Sequence, residues 1–226
     1  MKKQAWILLF SIALAANIIA GLLSNHLLDF ISKPLIVVAV AGYFILRTSH
    51  VRSSFKTWIL FALFFSWAGD ILLLFQQKDA SFFLLGLSTF LVAHIFYIVF
   101  FHRVRREEKI KGAAWSAVIV VIYYGALITF LSPYLGDMKL PVRIYGLVIS
   151  FMFMLALHML YLQNKPAGRW MMLGALLFII SDSVLAINKF YKSFEMAGVI
   201  IMLTYGLAQL FIIEGARRYI SFNSKE

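Results

Sequence analysis

Eight long apolar runs decide what this chain can fold into. They cover Ala5–Leu23, Lys33–Leu46, Phe55–Phe75, Phe82–His102, Ala113–Leu131, Val142–Leu162, Trp170–Asn188 and Met196–Gly215, and take up most of the 226 residues. A helix needs about 20 predominantly apolar residues to cross a hydrocarbon layer roughly 30 Å thick. Inside lipid every backbone N–H and C=O has to be satisfied within the protein, so only helices and closed barrels span. These runs are continuous rather than alternating, which excludes the barrel. The predicted fold is all-α, a polytopic membrane bundle of eight transmembrane helices forming a single domain over residues 1–226. The short loops leave no room for a soluble domain.

Composition supports lipid as the solvent. The chain is 62% hydrophobic and 14% charged, whereas soluble domains carry about 45–50% apolar and roughly 25% charged residues. Twenty-two Phe, ten Tyr and five Trp exclude disorder. With no Cys there are no disulfides and no thiolate zinc sites. The net charge of +11 is compatible with nucleic acid, but the basic residues fall between the apolar runs, and membrane proteins gather such residues in cytoplasmic loops. No nucleic-acid partner is expected.

The same charges predict orientation. With a cytoplasmic N-terminus, the inner side carries Lys2, Lys3, Arg47, Arg52, Lys56, Arg103, Arg105, Arg106, Lys109, Lys111, Lys165, Arg169, Arg217, Arg218 and Lys225. Only Lys33, Lys78, Lys139, Arg143, Lys189 and Lys192 remain outside. The positive-inside rule then places both termini in the cytoplasm, with the plasma (inner) membrane as the expected location and an even number of spans. The first run follows Lys2 and Lys3 as a signal peptide would. It continues through Ile18, Ile19, Ala20, Gly21 and Leu22 without a break, so it reads as an uncleaved first helix.

A shift of 112 positions aligns the third and fourth runs with the seventh and eighth. Trp58 falls on Trp170, Asp70 on Asp182, Leu73 on Leu185, Ser81 on Ser193, Phe82 on Phe194, Gly86 on Gly198 and Leu91 on Leu203. Leu and Phe matches are cheap in this composition; Trp, Asp and Gly matches are less so. Halves of about 1–112 and 113–226, four spans each, would insert in the same direction as a 4+4 parallel repeat about an axis along the membrane normal. Chance similarity between apolar helices is the competing explanation.

Two carboxylates stand out. Asp70 and Asp182 lie inside apolar runs, about 22 and 20 Å from the cytoplasmic ends of their helices at 1.5 Å per residue, past the midplane. A charge there costs about 2.5–3.5 kcal/mol on insertion scales, so an intramembrane acid is a candidate functional group. The plainer reading is a carboxyl hydrogen-bonding between helices. Further polar residues can join them. Ser66 precedes Asp70 by one turn on the same face, Ser181 adjoins Asp182, His94 and Tyr97 share a face, and so do Tyr205 and Gln209. The shift also sets Tyr97 over Gln209 and Lys33 over Tyr145. Each of these also suits ordinary helix–helix hydrogen bonding, and Lys33 suits snorkelling to the interface.

Other chemistries lack their residues. The histidines are His26, His50, His94, His102 and His158, without the spacing of a zinc site. There is no Gly-rich phosphate loop and no Gly-x-Ser-x-Gly elbow. The RVRREEKIK stretch at 103–111 reads as a topology determinant attractive to anionic lipid. Neither a metal nor an organic cofactor is expected.

The runs SKPL at 32–35, SWAGDILL at 66–73, FFLLGLSTFLVAHIFY at 82–97, GALLFIISDSVLAINKF at 174–190 and TYGLAQLFI at 204–212 together resemble the lysoplasmalogenase family, the YhhN-like multi-pass membrane proteins. The resemblance implies hydrolysis of the vinyl ether bond of a lysoplasmalogen to a fatty aldehyde and glycerophospho-ethanolamine or -choline. The implied partners are thus a lysophospholipid substrate, water and membrane lipids. It also implies Asp70 and Asp182 as the catalytic pair, with Lys33, His94, Tyr97, Tyr145, Tyr205 and Gln209 as the family's polar positions.

The chemistry suits two acids. Vinyl ethers hydrolyse by protonation of the β-carbon, capture of the oxocarbenium ion by water, and collapse of the hemiacetal. Glycosidases divide similar work between two carboxyl groups. Neighbouring acids in a low-dielectric hollow resist double ionisation, so a pair sharing one proton near neutral pH is expected, with His94 or Tyr97 orienting one acid and Lys33 meeting the phosphate. Two rivals remain open at this stage: a proton-coupled small-molecule or lipid transporter using the same acids, and a lipid-binding or structural protein in which they only join helices.

Overall fold

The computed structural model describes residues 3–223 and contains no strand among them. Lys2 and Lys225, used above for orientation, and the Lys3 side chain lie outside the described structure. Eight helices follow one another: α1 (Lys3–Leu22), α2 (His26–Thr48), α3 (Phe55–Leu74), α4 (Ser81–Glu107), α5 (Ala114–Leu131), α6 (Lys139–His158), α7 (Lys165–Ala186) and α8 (Ala197–Asn223). All eight segments are long and apolar enough to cross a membrane. The chain is an integral, multi-pass membrane protein.

Helix ends depart from the apolar runs where polar groups cap them. α2 starts at His26 rather than Lys33, because the Asn25 side chain accepts the Leu28 N–H at 3.0 Å and satisfies a donor the helix start leaves open. Pro34 consequently lies inside α2, which neighbouring helices tolerate in a membrane. Asn164 likewise accepts the Ala167 N–H at 3.2 Å, starting α7 five residues before Trp170. Ahead of α4, the Asp79 carboxylate accepts the Ser81 N–H at 2.8 Å, and this bond holds its carboxyl below the usual range. α8 runs beyond Gly215 because Glu214 pairs with Arg217 and Arg218 one turn on, both at 2.6 Å, and takes the Tyr43 hydroxyl at 2.7 Å.

The most extensive contacts join α7 to α8, α3 to α4 and α1 to α2, while α4 meets α6 across the bundle. α7 and α8 touch backbone to backbone. A Cβ on Gly174 would sit 2.6 Å from the Ile212 nitrogen, and one on Gly215 would sit 2.7 Å from the Ala167 oxygen. Lipid supplies no hydrophobic drive between helices, so close van der Waals approach at small residues holds such pairs together. α6 is the most enclosed helix and α5 the least. The fully buried core includes Ile36, Phe44, Ile59, Leu63, Phe100, Phe101, Met152 and Phe178.

Candidate active site

Asp70 and Asp182 each lie four residues before the last residue of their helix, at the ends of α3 and α7. Both line one cavity of about 70 Å³, together with Lys33 of α2, Tyr145 of α6, Ser181 of α7 and Tyr205 of α8. Apart from Gln76 its remaining wall is apolar and includes Leu73, Phe83, Leu87, Phe90 and Met202. A single water needs only about 10–15 Å³ measured this way, so the hollow holds several.

The acids are held by different partners. The Tyr205 hydroxyl donates to Asp70 Oδ2 at 2.7 Å, and Asp70 is 1% exposed. Behind Tyr205 a short chain continues: Gln209 Nε2 donates to the Tyr205 oxygen at 3.4 Å, and the Tyr97 hydroxyl donates to Gln209 Oε1 at 2.6 Å. On the other side, the Tyr145 hydroxyl donates to Asp182 Oδ2 at 2.5 Å. His94 Nε2 lies 3.4 Å from the same oxygen and 3.2 Å from the Tyr145 hydroxyl. The Tyr145 proton is committed to Asp182, so a hydrogen on Nε2 gives His94 acceptors in both directions. His94 Nδ1 is buried without a protein partner.

The residues singled out from sequence fall into three groups. Lys33, Asp70, Tyr145, Ser181, Asp182 and Tyr205 line the cavity. His94, Tyr97 and Gln209 stand behind it, His94 facing Asp182 and the other two reaching Asp70 only through Tyr205. Ser66 is neither: it is fully buried, its Oγ has no partner, and it does not line the cavity. Ser181 lines the hollow but spends its hydroxyl on the Ile201 carbonyl at 3.0 Å, tying α7 to α8.

Two extensions of the cavity have no counterpart in the sequence reading. One is an apolar arm of about 30 Å³ reaching Val142, Ala186 and Phe190, which shares Asp182 and Tyr145 with the main hollow. The other is a vestibule of about 360 Å³ containing Asn17, Asp29 and Asn188, which shares Lys33 and Gln76. Asn17 was hidden inside an apolar run and Asp29 near a helix end; the polar character of Asn17 was the available signal. Tyr123 also stands near the acids without a signal in the sequence: its hydroxyl lies 2.7 Å from Ser183, beside Asp182.

Comparison with known proteins finds relatives over most of the chain. A human lysoplasmalogenase, TMEM86B, is 30% identical over 187 residues, covering 82% of this chain and 74% of that protein. The rat lysoplasmalogenase TMEM86B is 34% identical over 163 residues, 72% of this chain and 63% of the relative. The lysoplasmalogenase of Mycobacterium bovis is 29% identical over 170 residues, 74% of this chain and 63% of the relative. The chain thus spans less than two thirds of the length of the rat and mycobacterial proteins. No solved structure matches. The YhhN family profile matches residues 28–216, which hold every residue lining the acid-bearing cavity; the chain belongs to the YhhN family.

Proposed function

We propose that the chain is a membrane hydrolase that cleaves the vinyl ether bond of a lysoplasmalogen, with Asp70 and Asp182 as its acid and base. The observation that carries this reading is the convergence of two intramembrane acids, from α3 and α7, on one hollow with room for several waters and with a polar arm and an apolar arm. A single-chain phospholipid has that same sequence of parts: head group, reactive linkage, tail. The names of the relatives support the same chemistry.

The hydrogen bonds suggest how the acids divide the work. Asp182 Oδ2 takes the Tyr145 proton and faces His94, an arrangement suited to a carboxylate. Asp70 takes a single donor on Oδ2, which leaves Oδ1 to present a proton. Asp70 then protonates the β-carbon of the vinyl ether, and the α-carbon becomes an oxocarbenium ion stabilised by the Asp182 carboxylate. Water attacks that carbon while Asp182 takes its proton. Collapse of the hemiacetal returns a proton from its hydroxyl to Asp70 while Asp182 protonates the departing glycerol oxygen. One water is consumed, aldehyde and alcohol leave, and both acids regain their starting states.

In this reading the basic ends of α2, α4, α7 and α8 face the cytoplasm, and the cavity lies toward the outer leaflet of the plasma (inner) membrane. The 112-residue repeat gains support from Tyr97 and Gln209, positions related by that shift, which bond to each other. The test is aldehyde release from lysoplasmalogen by the purified protein. Asp70→Asn and Asp182→Asn should each abolish it while the protein stays folded. Full activity in either variant refutes the mechanism. Proton-dependent solute uptake into liposomes without aldehyde release would return the carrier reading.

A further inference from the structure

The vestibule beside the acids is built around opposite charges that are not paired with each other. Asp29 and Lys33 are four residues apart on α2, hence on one face and about 6 Å apart along the axis, and both line the vestibule. They form no ion pair with each other, and Lys33 Nζ makes no hydrogen bond among the described residues. Asp29 is held in place from behind: Asn17 Nδ2, on a side chain buried in α1, donates to Asp29 Oδ1 at 2.7 Å and to Ser32 Oγ at 3.1 Å. That leaves Asp29 Oδ2 without a hydrogen bond among the described residues. The result is an anchored carboxylate in the first turn of α2 and an unpaired ammonium one turn deeper, at the junction with the reaction cavity.

We infer that this vestibule selects head groups carrying a primary ammonium, as in phosphoethanolamine, over quaternary ones such as phosphocholine. The inference deepens the hydrolase reading and rests on it for the identity of the ligand. Lys33 meets the phosphate as a point charge. The ammonium, two carbons further out, reaches Asp29 Oδ2 and donates N–H bonds to it. The glycerol then points inward, toward Asp70 and Asp182. A quaternary ammonium has no N–H to give and is normally recognised by a cage of aromatic faces. The vestibule lining contains no Phe, Tyr or Trp.

The experiment separates head-group binding from hydrolysis. Short-chain 1-O-alkyl glycerophosphoethanolamine, its N-methylated series and its choline counterpart contain no vinyl ether and are not cleaved. They are titrated into the full-length protein below their micellar concentrations, with affinity read from tryptophan fluorescence. The ethanolamine compound should bind about tenfold more tightly than the choline compound, as expected for a hydrogen bond between charged groups, and affinity should fall with each added methyl. Asp29→Asn keeps the acceptor for Asn17 and should erase the difference, while Lys33→Met should weaken both ligands alike. Equal affinities in the unaltered protein, or a preference that survives in Asp29→Asn, overturn the inference. Vinyl ether versions of the same lipids report separately on aldehyde release. Binding selectivity without release defeats the hydrolase reading and leaves the head-group inference standing; release without selectivity does the reverse.

Discussion

Replacing Tyr145 by Phe removes one oxygen and leaves the ring packed. That oxygen donates to Asp182 Oδ2 at 2.5 Å and stands 3.2 Å from His94 Nε2. Without it, Asp182 Oδ2 keeps only His94, at 3.4 Å. A hydrogen bond to a charged group contributes about 1.5–3 kcal/mol, and if the bond orients the carboxylate in the transition state this amounts to a roughly 10- to 100-fold loss in kcat. Stability should change far less. The Asp182 side chain is 15% exposed and borders the hollow, so water can replace the lost donor at a net cost of about 1 kcal/mol or less. Tyr97→Phe provides the contrast. Tyr97 and Gln209 are fully buried, so Gln209 Oε1 would lose its donor with no water to replace it, costing about 1–3 kcal/mol of stability with little direct effect on chemistry. Aldehyde release under saturating substrate, read beside thermal unfolding in detergent, checks both. A Tyr145→Phe protein with kcat within twofold of the parent, or one whose activity falls only in step with its folded fraction, would refute the role given to Asp182.

Other expectations follow from the packing. Gly174→Ala places a Cβ 2.6 Å from the Ile212 nitrogen and 2.8 Å from the Ala208 oxygen, and should destabilise the α7–α8 pair by roughly 1–3 kcal/mol; Gly125→Ala, with nothing within 4 Å, should not, and melting temperatures compare them. Ala186→Phe fills the apolar arm next to Val142 and Phe190, so KM should rise for long-chain substrates and change little for short ones. His158 Nδ1 lies 2.7 Å from the Met154 carbonyl, which can only accept, so Nε2 is the acceptor for the Ala113 N–H at 3.2 Å. His158→Ala should uncap α5 at a cost of about 1 kcal/mol, visible as faster amide exchange at its first turn.

Much of this molecule follows from its amino-acid order, because lipid makes a few rules stringent. A backbone in hydrocarbon has to be helical or a closed barrel, so eight apolar runs are enough to predict eight crossing helices. A carboxyl in hydrocarbon is costly, so Asp70 and Asp182 stand out before any neighbour is known. Helix ends were less legible: the start of α2 depends on Asn25 capping it rather than on where the apolar run begins.

Which faces meet was decided only by the tertiary structure. A helix that is apolar all round carries no stripe to say which side turns inward, so residue spacing places Ser66 and Asp70 on one face without showing that only Asp70 reaches the cavity. Spacing likewise groups His94 with Tyr97, yet the fold sends His94 to Asp182 and Tyr97 to Gln209. The anchoring of Asp29 by Asn17 is a contact between two helices, and it arises only once α1 packs on α2. Hydrophobicity determines that these segments enter the membrane; close packing and hydrogen bonding between them determine what they enclose.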